Sequence, residues 1–200
     1  MTKLSRPTLL AVAAVLVLAN VAFAQATAQK EAPVTKAPDV IFVPTPQPVV
    51  DKMLELAEVS AKDVVFDLGC GNGIIIVSAA KKGAHAYGFD VDPKRIRETQ
   101  ENIAKNEVGE LAKVQQKDIF TLDLSKANVV TLYLLPSLNV KLIPQLEKLK
   151  PGSRIVSHDF DMKGIKPEKV VKVEGPTREH TVYMWRTPLV KEDGSSAANN

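Results

Sequence analysis

Residues 67–73 read Asp-Leu-Gly-Cys-Gly-Asn-Gly, and this stretch decides the fold class. It follows the apolar run Val64–Phe66 and leads into a second apolar run, Ile74–Ala80. A strand that passes through a glycine-rich turn into a helix places a carboxylate beside the free N–H groups of the first helical turn. Glycines at alternate positions allow a tight turn and let a ligand lie against bare main chain. The stretch therefore predicts a site for a ligand that carries both cationic and anionic groups.

A second acid follows at the distance that nucleotide-binding folds use. Residues 86–90 (Ala-Tyr-Gly-Phe-Asp) are expected to form the next strand, which ends at Asp90. In dinucleotide-binding folds, an acid about 20 residues past the glycine loop hydrogen-bonds ribose hydroxyls. The G-x-G-x-G spacing differs from that of nicotinamide and flavin sites, and the sequence has no phosphate-binding G-x-x-x-x-G-K-[ST] stretch. A ligand with a ribose and without a phosphate fits this pattern.

These two motifs resemble motifs I and II of class I S-adenosylmethionine-dependent methyltransferases. The resemblance implies that S-adenosylmethionine is the cofactor, that Asp90 binds its ribose, and that Asp118 contacts its adenine amino group with Ile119 alongside. The residues that it assigns to the methionine portion are Asp67, Gly69, Cys70, Gly71 and Gly73. The structural alternatives are a tight strand–helix turn for the glycine run and a helix cap or turn acid for Asp118.

The wider sequence resembles the family of the ATP synthase c-subunit lysine methyltransferase and its bacterial relatives, over residues 41–188. The matching pieces are 42–46 (Phe-Val-Pro-Thr-Pro), an apolar strand that ends in Leu-Pro, and residues 151–160 (Pro-Gly-Ser-Arg-Ile-Val-Ser-His-Asp-Phe). This resemblance implies a lysine in a protein as the methyl acceptor and adds Thr45 to the cofactor site. Asn72 departs from the acid that is common at its position.

The ends of the fourth and fifth strands are expected to face the reactive methyl group, because ligands of open α/β sheets lie beyond the carboxyl ends of the strands. We assign Tyr133 and Pro136 as candidate catalytic residues, with Tyr133 orienting the amine, and Leu134 and His158 as candidate substrate contacts. The alternatives are a core aromatic role for Tyr133 and a structural role for His158. The fourth strand lacks the acid or asparagine, two prolines and aromatic of enzymes that methylate adenine or amide nitrogens, which disfavours those substrates.

Apolar strands alternate with amphipathic helices from Val64 onward, which predicts an α/β protein. We expect a Rossmann-like methyltransferase fold with a mostly parallel seven-stranded sheet and a C-terminal antiparallel hairpin. Further expectations are a helix at 49–59, a central fourth strand at 128–134, a helix at 138–149 kinked by Pro144, a hairpin of 170–174 with 180–186, and Trp185 in the core.

The N-terminal residues are typical of a cleavable signal peptide at residues 1–24. Lys3 and Arg6 precede an apolar run at 9–21, and small residues at positions 22 and 24 fit a cleavage site. The run is short for a membrane span, which needs about 20 apolar residues. We therefore expect an exported, periplasmic or secreted protein, with an uncleaved membrane anchor as the alternative. Residues 25–40 are expected to be a flexible leader, 41–190 the methyltransferase domain, and 191–200 a disordered tail.

The charge balance of the chain bears on whether it binds nucleic acid. Residues 1–24 hold two basic residues and no acids, so the remaining chain has 24 basic residues against 23 acidic ones. No cluster of Lys and Arg interleaved with aromatics is present, and we expect no nucleic-acid partner.

His158-Asp159 has no second histidine or acid at ligand spacing, so we expect no metal site. The single cysteine, Cys70, can form no internal disulfide.

The leading interpretation is an S-adenosylmethionine-dependent methyltransferase that acts on lysine in a protein, with a membrane protein as one candidate acceptor. A second interpretation keeps the cofactor and assigns a small-molecule amine, thiol or hydroxyl acceptor. A third is an exported relative that binds the ligand without catalysis, because S-adenosylmethionine is made in the cytoplasm. The sequence leaves the oligomeric state open.

Overall fold

The computed structural model describes Ala37 and residues 41–193. The expected signal peptide, and all of the expected leader except Ala37, lie outside the described residues. Within them the elements are α1 (Gln47–Leu56), β1 (Val64–Leu68), α2 (Ile74–Lys81), β2 (His85–Asp90), α3 (Pro93–Lys105), β3 (Ala112–Gln116), a 3-10 turn (Ile119–Thr121), β4 (Val129–Leu132), α4 (Pro136–Leu146), β5 (Arg154–His158), β6 (Lys169–Glu174) and β7 (Glu179–Arg186).

A mostly parallel sheet forms the centre of the described residues. Its seven strands run in the order β3-β2-β1-β4-β5-β7-β6. Neighbouring strands among β1 to β5 are parallel, whereas β7 is antiparallel to both β5 and β6. The predicted Rossmann-like fold and its C-terminal antiparallel pair are confirmed. The chain changes direction across the sheet between β1 and β4, which is where open α/β sheets form a ligand crevice.

Apolar side chains on both faces of the sheet explain why it is covered by helices on both sides. Val65 and Val129 belong to the core layer packed under α1 and α2, while their chain neighbours Phe66 and Val130 belong to the layer packed under α4. Successive strand residues point to opposite faces, so these apolar strands need cover on both faces of the sheet. β4 is buried along its whole length, which confirms the central position predicted for it. Trp185 is a core residue, as expected, and is 1% exposed.

Element ends differ from the sequence expectations by a few residues. α1 starts at Gln47, directly after Pro46, and it ends before Glu58, whose φ of 53° cannot continue a helix. α4 starts at Pro136, because proline suits the first helical position, and it ends three residues earlier than predicted. Pro144 lies inside α4.

The folded part extends past the boundary predicted at residue 190. Lys191 forms an antiparallel bridge with Ile165, and the Glu192 N–H donates to the Gly164 carbonyl at 3.0 Å. The prediction that the tail is disordered from residue 191 is therefore wrong for Lys191 and Glu192. Residues 194–200 lie outside the described part. None of the helices described is both long enough and apolar enough to cross a membrane.

Asp63, just before β1, makes a testable contribution to stability. Burial raises its pKa, but hydrogen bonds from Arg154 and Ser60 outweigh burial and hold the pKa of Asp63 below its usual 3.8. The Arg154 guanidinium donates to its carboxylate at 2.8 Å. We expect Asp63→Ala to lower the free energy of unfolding at pH 7 by about 3–5 kcal/mol, because it leaves the charge of the largely buried Arg154 guanidinium without its counter-ion.

The pH dependence of this loss has a fixed sign. The wild-type stabilisation is complete above pH 3.8, the ordinary value, and disappears as the pH falls through the lower folded-state pKa. Urea unfolding at pH 7 and in acid should show the difference between the two proteins shrinking in acid. Glu168→Ala is the matched control, since its pair with Arg186 is exposed and should be worth about 0.2–1 kcal/mol. Equal losses from both variants would contradict the prediction.

Candidate active site

The loop between β1 and α2 has a backbone that only glycine adopts easily. Gly71 and Gly73 have φ values of 55° and 77°. A Cβ on Gly71 would lie 2.2 Å from Cε2 of Phe42, and one on Gly73 would lie 2.5 Å from the Thr99 methyl group. The Thr99 hydroxyl also donates to the Gly71 carbonyl at 2.8 Å. The loop is therefore fixed by close packing on two sides.

Asp67, near the carboxyl end of β1, carries a carboxylate with one oxygen that has no partner among the described residues. Its Oδ1 accepts a hydrogen bond from the Thr131 hydroxyl at 2.7 Å, whereas its buried Oδ2 has no partner among the described residues. Burial raises the pKa of Asp67 to about 7, Thr131 opposes the rise, and the charge of Asp90 adds to it. A buried carboxylate oxygen without a partner is costly unless a ligand completes it. A cationic group of a ligand would satisfy this oxygen.

Asp90 joins the end of β2 to the glycine loop. Its Oδ2 accepts the Gly71 N–H at 3.0 Å, and its Oδ1 accepts the Asp92 N–H at 3.0 Å. Burial raises the pKa of Asp90, while the backbone hydrogen bonds oppose that rise. The carboxylates of β1 and β2 are thus held at neighbouring strand ends, as the two sequence motifs predicted.

A cavity of about 270 Å³ lies beside these carboxylates. The predicted cofactor residues that line it are Thr45, Asp67, Gly69, Cys70, Asp90, Asp118 and Ile119. Gly71 and Gly73 do not line it; they shape the loop that forms its wall. Burial raises the pKa of the Cys70 thiol well above its ordinary value, so Cys70 serves as an apolar lining residue.

The other end of the cavity is apolar and aromatic. Of the residues predicted there, Tyr133 and Leu134 line the cavity. They follow β4 rather than belonging to it, because the strand ends at Leu132. The structure adds lining residues that the sequence did not single out: Leu135, Leu138 and Phe160. The Tyr133 and Phe160 rings are nearly parallel, with centroids 6.1 Å apart.

Two of the four residues predicted at the acceptor end do not line the cavity. Pro136 is the first residue of α4, where it starts the helix, so the structure does not support a catalytic role for it. His158 is fully buried behind Tyr133, with ring centroids 3.8 Å apart. Its predicted role as a substrate contact is therefore corrected to support of the Tyr133 ring.

His158, Asp159 and His180 form a cluster of polar groups at the end of β5 that the sequence did not indicate. His158 Nε2 lies 2.8 Å from Nδ1 of His180, and 3.2 Å from Oδ2 of Asp159. His158 on β5 pairs with Val182 on β7, so His180 lies on β7 two residues before the partner of His158. Knowledge of the register between β5 and β7 would have placed His180 beside His158.

Folding supplies the second histidine that His158-Asp159 lacks along the sequence, so the spacing argument against a metal site is wrong. The donor atoms of His158, Asp159 and His180 lie within 4.8 Å of one another. However, the Arg178 guanidinium already pairs with Asp159 Oδ2, so a cation of the protein neutralises this carboxylate. Burial lowers the pKa of His158 to about 4 in spite of Asp159, which leaves a neutral imidazole at pH 7. Burial raises the pKa of Asp159, but Arg178 and Thr181 outweigh it and bring that pKa to about 2.

Phe42 and Arg95 are further lining residues that the sequence did not assign to the site. The guanidinium of Arg95 lies 4.5 Å from the centroid of the Phe42 ring, and the ring covers Gly71. Residues 41–43 therefore line the cavity next to the glycine loop.

Comparisons with known proteins agree on the class. A protein-lysine N-methyltransferase of Saccharolobus islandicus is 48% identical over 151 residues, 74% of this chain and 94% of that protein. A solved structure of an RNA methyltransferase from Salinibacter ruber in complex with S-adenosyl-L-homocysteine is 46% identical, has a TM-score of 0.70, and covers 77% of this chain and 100% of that one. A ribosomal protein L11 methyltransferase of Desulfitobacterium hafniense is 33% identical over 118 residues, 58% of this chain and 36% of that protein.

The chain is a class I S-adenosylmethionine-dependent methyltransferase. The unpaired oxygen of Asp67 and the close packing around Gly71 fit this cofactor, because the first suits a cationic group and the second holds the Asp90 carboxylate in place. Residues 67–169 match the model of the ANTKMT methyltransferase domain, and the chain belongs to that family.

Protonation of Asp67 should make cofactor binding depend on pH. Because its pKa is about 7 in the free protein and a cationic ligand favours the carboxylate, binding at pH 6 must first remove a proton. We expect the Kd for S-adenosylmethionine, measured by calorimetry, to be about tenfold higher at pH 6 than at pH 8. Asp67→Asn should bind weakly and with little pH dependence, whereas Asp123→Asn, at an exposed turn, should behave as wild type. A wild-type Kd that stays constant from pH 6 to 8 would contradict the assignment of Asp67.

Proposed function

We propose that the protein transfers a methyl group from S-adenosylmethionine to the side-chain amine of a lysine in another protein. The observation that carries this proposal is the apolar, aromatic end of the cavity, where Tyr133 and Phe160 lie beside three leucines. A lysine brings a long apolar stem and a single nitrogen, which suits an apolar approach that carries a polar group, the Tyr133 hydroxyl. The activity named for the Saccharolobus relative supports the same acceptor.

The apolar surroundings would help the acceptor to react. An ammonium has no lone pair, and burial in apolar surroundings lowers the pKa of an amine. The side chains of Leu134, Leu135 and Leu138 would provide this environment for the nitrogen. The bound cofactor supplies a methyl group on a sulfonium, which is a good leaving group, so positioning of the acceptor is the main task left to the protein.

In this proposal Tyr133, which lines the cavity, orients the nitrogen. Burial, with a contribution from the charge of Asp159, raises the pKa of Tyr133 above 10.0, so its hydroxyl stays protonated at neutral pH. A protonated phenol has acceptor lone pairs and can receive an N–H of the amine, but it does not act as a base. The acids Asp67 and Asp90 would hold the cofactor at the other end of the cavity.

An RNA acceptor is the second candidate, because the Salinibacter relative is named an RNA methyltransferase. Two features of this chain weigh against it. The residues after β4 read Tyr-Leu-Leu-Pro instead of the acid or asparagine and two prolines of adenine methyltransferases, and the chain without residues 1–24 is nearly neutral. Small-molecule acceptors, and a ligand-binding relative without catalysis, are further outcomes that the same assay separates.

The acceptor class can be read directly from the labelled product. We expect tritiated S-adenosylmethionine and the full chain to label extract material that resists ribonuclease, is destroyed by protease, and yields methyllysine after acid hydrolysis. Separate membrane and soluble extracts would test a membrane-protein acceptor. Label that ribonuclease removes, or that stays in small molecules, would overturn the lysine proposal.

Replacement of Tyr133 tests its role in the same assay. Tyr133→Phe should slow methyl transfer about 10- to 100-fold with little change in cofactor affinity, because the acceptor loses its orienting contact. Tyr183→Phe is the matched control, since Tyr183 stacks on Trp185 in β7 and does not line the cavity. Asp90→Ala should abolish transfer through loss of cofactor binding. Equal rates for Tyr133→Phe and wild type would remove Tyr133 from the mechanism.

Export through residues 1–24 remains a proposal, supported by Lys3, Arg6 and the apolar run that follows. Mass spectrometry of the N-terminus of the protein from its native host would test it. Cleavage after residue 24 is the expected result, whereas an intact N-terminus in the membrane fraction would favour the anchor.

A further inference from the structure

Thr45 lines the cavity and makes its side-chain contact on the acceptor side. Its hydroxyl lies 3.2 Å from Nδ1 of His158, the last residue of β5. The face of the same imidazole packs on the Tyr133 ring, with ring centroids 3.8 Å apart. One buried ring therefore contacts both side chains. The sequence resemblance assigned Thr45 to the cofactor, whereas these contacts bring it to the end of the cavity that we propose for the methyl acceptor.

The acids that line the cavity lie on its other side. They are Asp67 near the end of β1, Asp90 and Asp92 at and after the end of β2, and Asp118 after β3. The sheet order β3-β2-β1-β4-β5 puts these strand ends on one side and those of β4 and β5 on the other. Among the described lining residues that follow β4 and β5, none carries a carboxylate. Burial raises the pKa of the Tyr133 phenol, which keeps its proton at neutral pH.

Behind Thr45, His158 continues into the buried polar cluster. Its Nε2 lies 2.8 Å from Nδ1 of His180 and 3.2 Å from Oδ2 of Asp159. A carboxylate can only accept a hydrogen bond, so we assign the proton of the neutral His158 to Nε2, which leaves a lone pair on Nδ1. The Thr45 hydroxyl then donates to Nδ1, and the lone pairs of its oxygen are available to a donor in the cavity.

Asp159 connects this chain of hydrogen bonds to solvent. Its side chain is 13% exposed, whereas that of His158 is fully buried. Burial raises the pKa of Asp159, but hydrogen bonds from Arg178 and Thr181 bring that pKa to about 2. Burial also lowers the pKa of His158 to about 4, although Asp159 opposes this and His180 and Arg178 add to it. Neither group holds an extra proton at neutral pH, so a proton that enters the chain is passed on to water.

We propose that Thr45, His158 and Asp159 form a proton relay that deprotonates the methyl acceptor. This inference rests on the proposed function, in which a lysine enters as an ammonium. The Thr45 oxygen takes a proton from the ammonium while its own proton moves to Nδ1 of His158. The Nε2 proton of His158 passes to Oδ2 of Asp159 and from there to water. The lysine nitrogen keeps the electron pair of the broken N–H bond and uses it to attack the methyl group.

The relay returns to its starting state between turnovers. After the transfer, Nδ1 of His158 carries a proton and Nε2 does not. Once the product leaves, water in the cavity takes the Nδ1 proton through the Thr45 hydroxyl, and a proton from solvent returns to Nε2 through Asp159. Water is the only further reactant, and each methyl transfer releases one proton in total.

The rate of methyl transfer as a function of pH tests the relay. The assay uses the full chain, extract protein as acceptor and saturating S-adenosylmethionine. Thr45→Val removes the hydroxyl and keeps the shape, and it should lower the initial rate at pH 7 about 100-fold. At pH 9.5 about a tenth of free lysine is already neutral, so the variant no longer depends on the relay and its deficit should shrink to below about tenfold.

Two further variants separate the relay from other roles of Thr45. Thr45→Ser keeps the hydroxyl and should restore most of the rate. Thr187→Val is the matched control, because the Thr187 hydroxyl is also buried and hydrogen-bonded but lies before β5 in the sheet and does not line the cavity. The Kd for S-adenosylmethionine should be the same in Thr45→Val and wild type. A weaker Kd, a deficit that is equal at both pH values, or a Thr45→Ser variant as slow as Thr45→Val would overturn the proposal.

A measurement without turnover tests the hydrogen-bonded chain itself. Imidazole ¹⁵N signals of the three histidines report which ring nitrogen carries the proton, and His85→Gln and His180→Gln identify two of the rings. We expect His158 to be neutral with its proton on Nε2, and Thr45→Val to shift its Nδ1 signal. A proton on Nδ1 in wild type, or an Nδ1 signal that Thr45→Val leaves in place, would sink the inference. If wild type labels no protein, the proposed function fails and the relay with it; if Thr45→Val labels protein as fast as wild type, the relay alone fails.

Discussion

The hydrogen bond from the Gly71 N–H to the Asp90 carboxylate is the contact on which the cofactor end of the site depends. It joins the end of β2 to the loop that follows β1, and it exists only because residue 71 adopts a left-handed backbone. The same glycine leaves room for the Phe42 ring, which a Cβ would displace. The loop, the acid and residues 41–43 therefore form one unit, and a side chain at position 71 would disturb all three.

Two buried aspartates at opposite ends of β1 show how the fold divides stability from binding. Asp63, before the strand, is paired with Arg154 and Ser60, and its pKa is lowered. Asp67, in the strand near its end, keeps one oxygen without a partner among the described residues, and its pKa is raised to about 7. The first carboxylate is stabilised by the folded chain itself. The second is left destabilised until a ligand completes it, which is the arrangement expected of a binding group.

The sequence was most informative where the chemistry is local. The glycine loop, the acids at 67 and 90, the parallel strands and the antiparallel pair could all be predicted, because each follows from a local hydrophobic pattern or from a fixed spacing along the chain. His180, Arg178 and Phe42 could not be assigned in this way. The two histidines meet through the register of β5 with β7, and Phe42 packs on Gly71 although the two residues are far apart in the sequence. His158 was misassigned for the same reason, since its burial depends on Tyr133 and Thr45, which lie far from it in the sequence.

The antiparallel strand β7 has a consequence for the site that a parallel strand would not have. The parallel strands β1 to β5 end at the edge where the cavity lies, so a further parallel strand would bring only its last residues there. Because β7 runs the other way, its first residues and the turn before it lie at this edge, opposite the end of β5. His180 and Arg178 reach Asp159 through this reversal. A short hairpin thus contributes to the acceptor end what a parallel connection could supply only through a much longer segment.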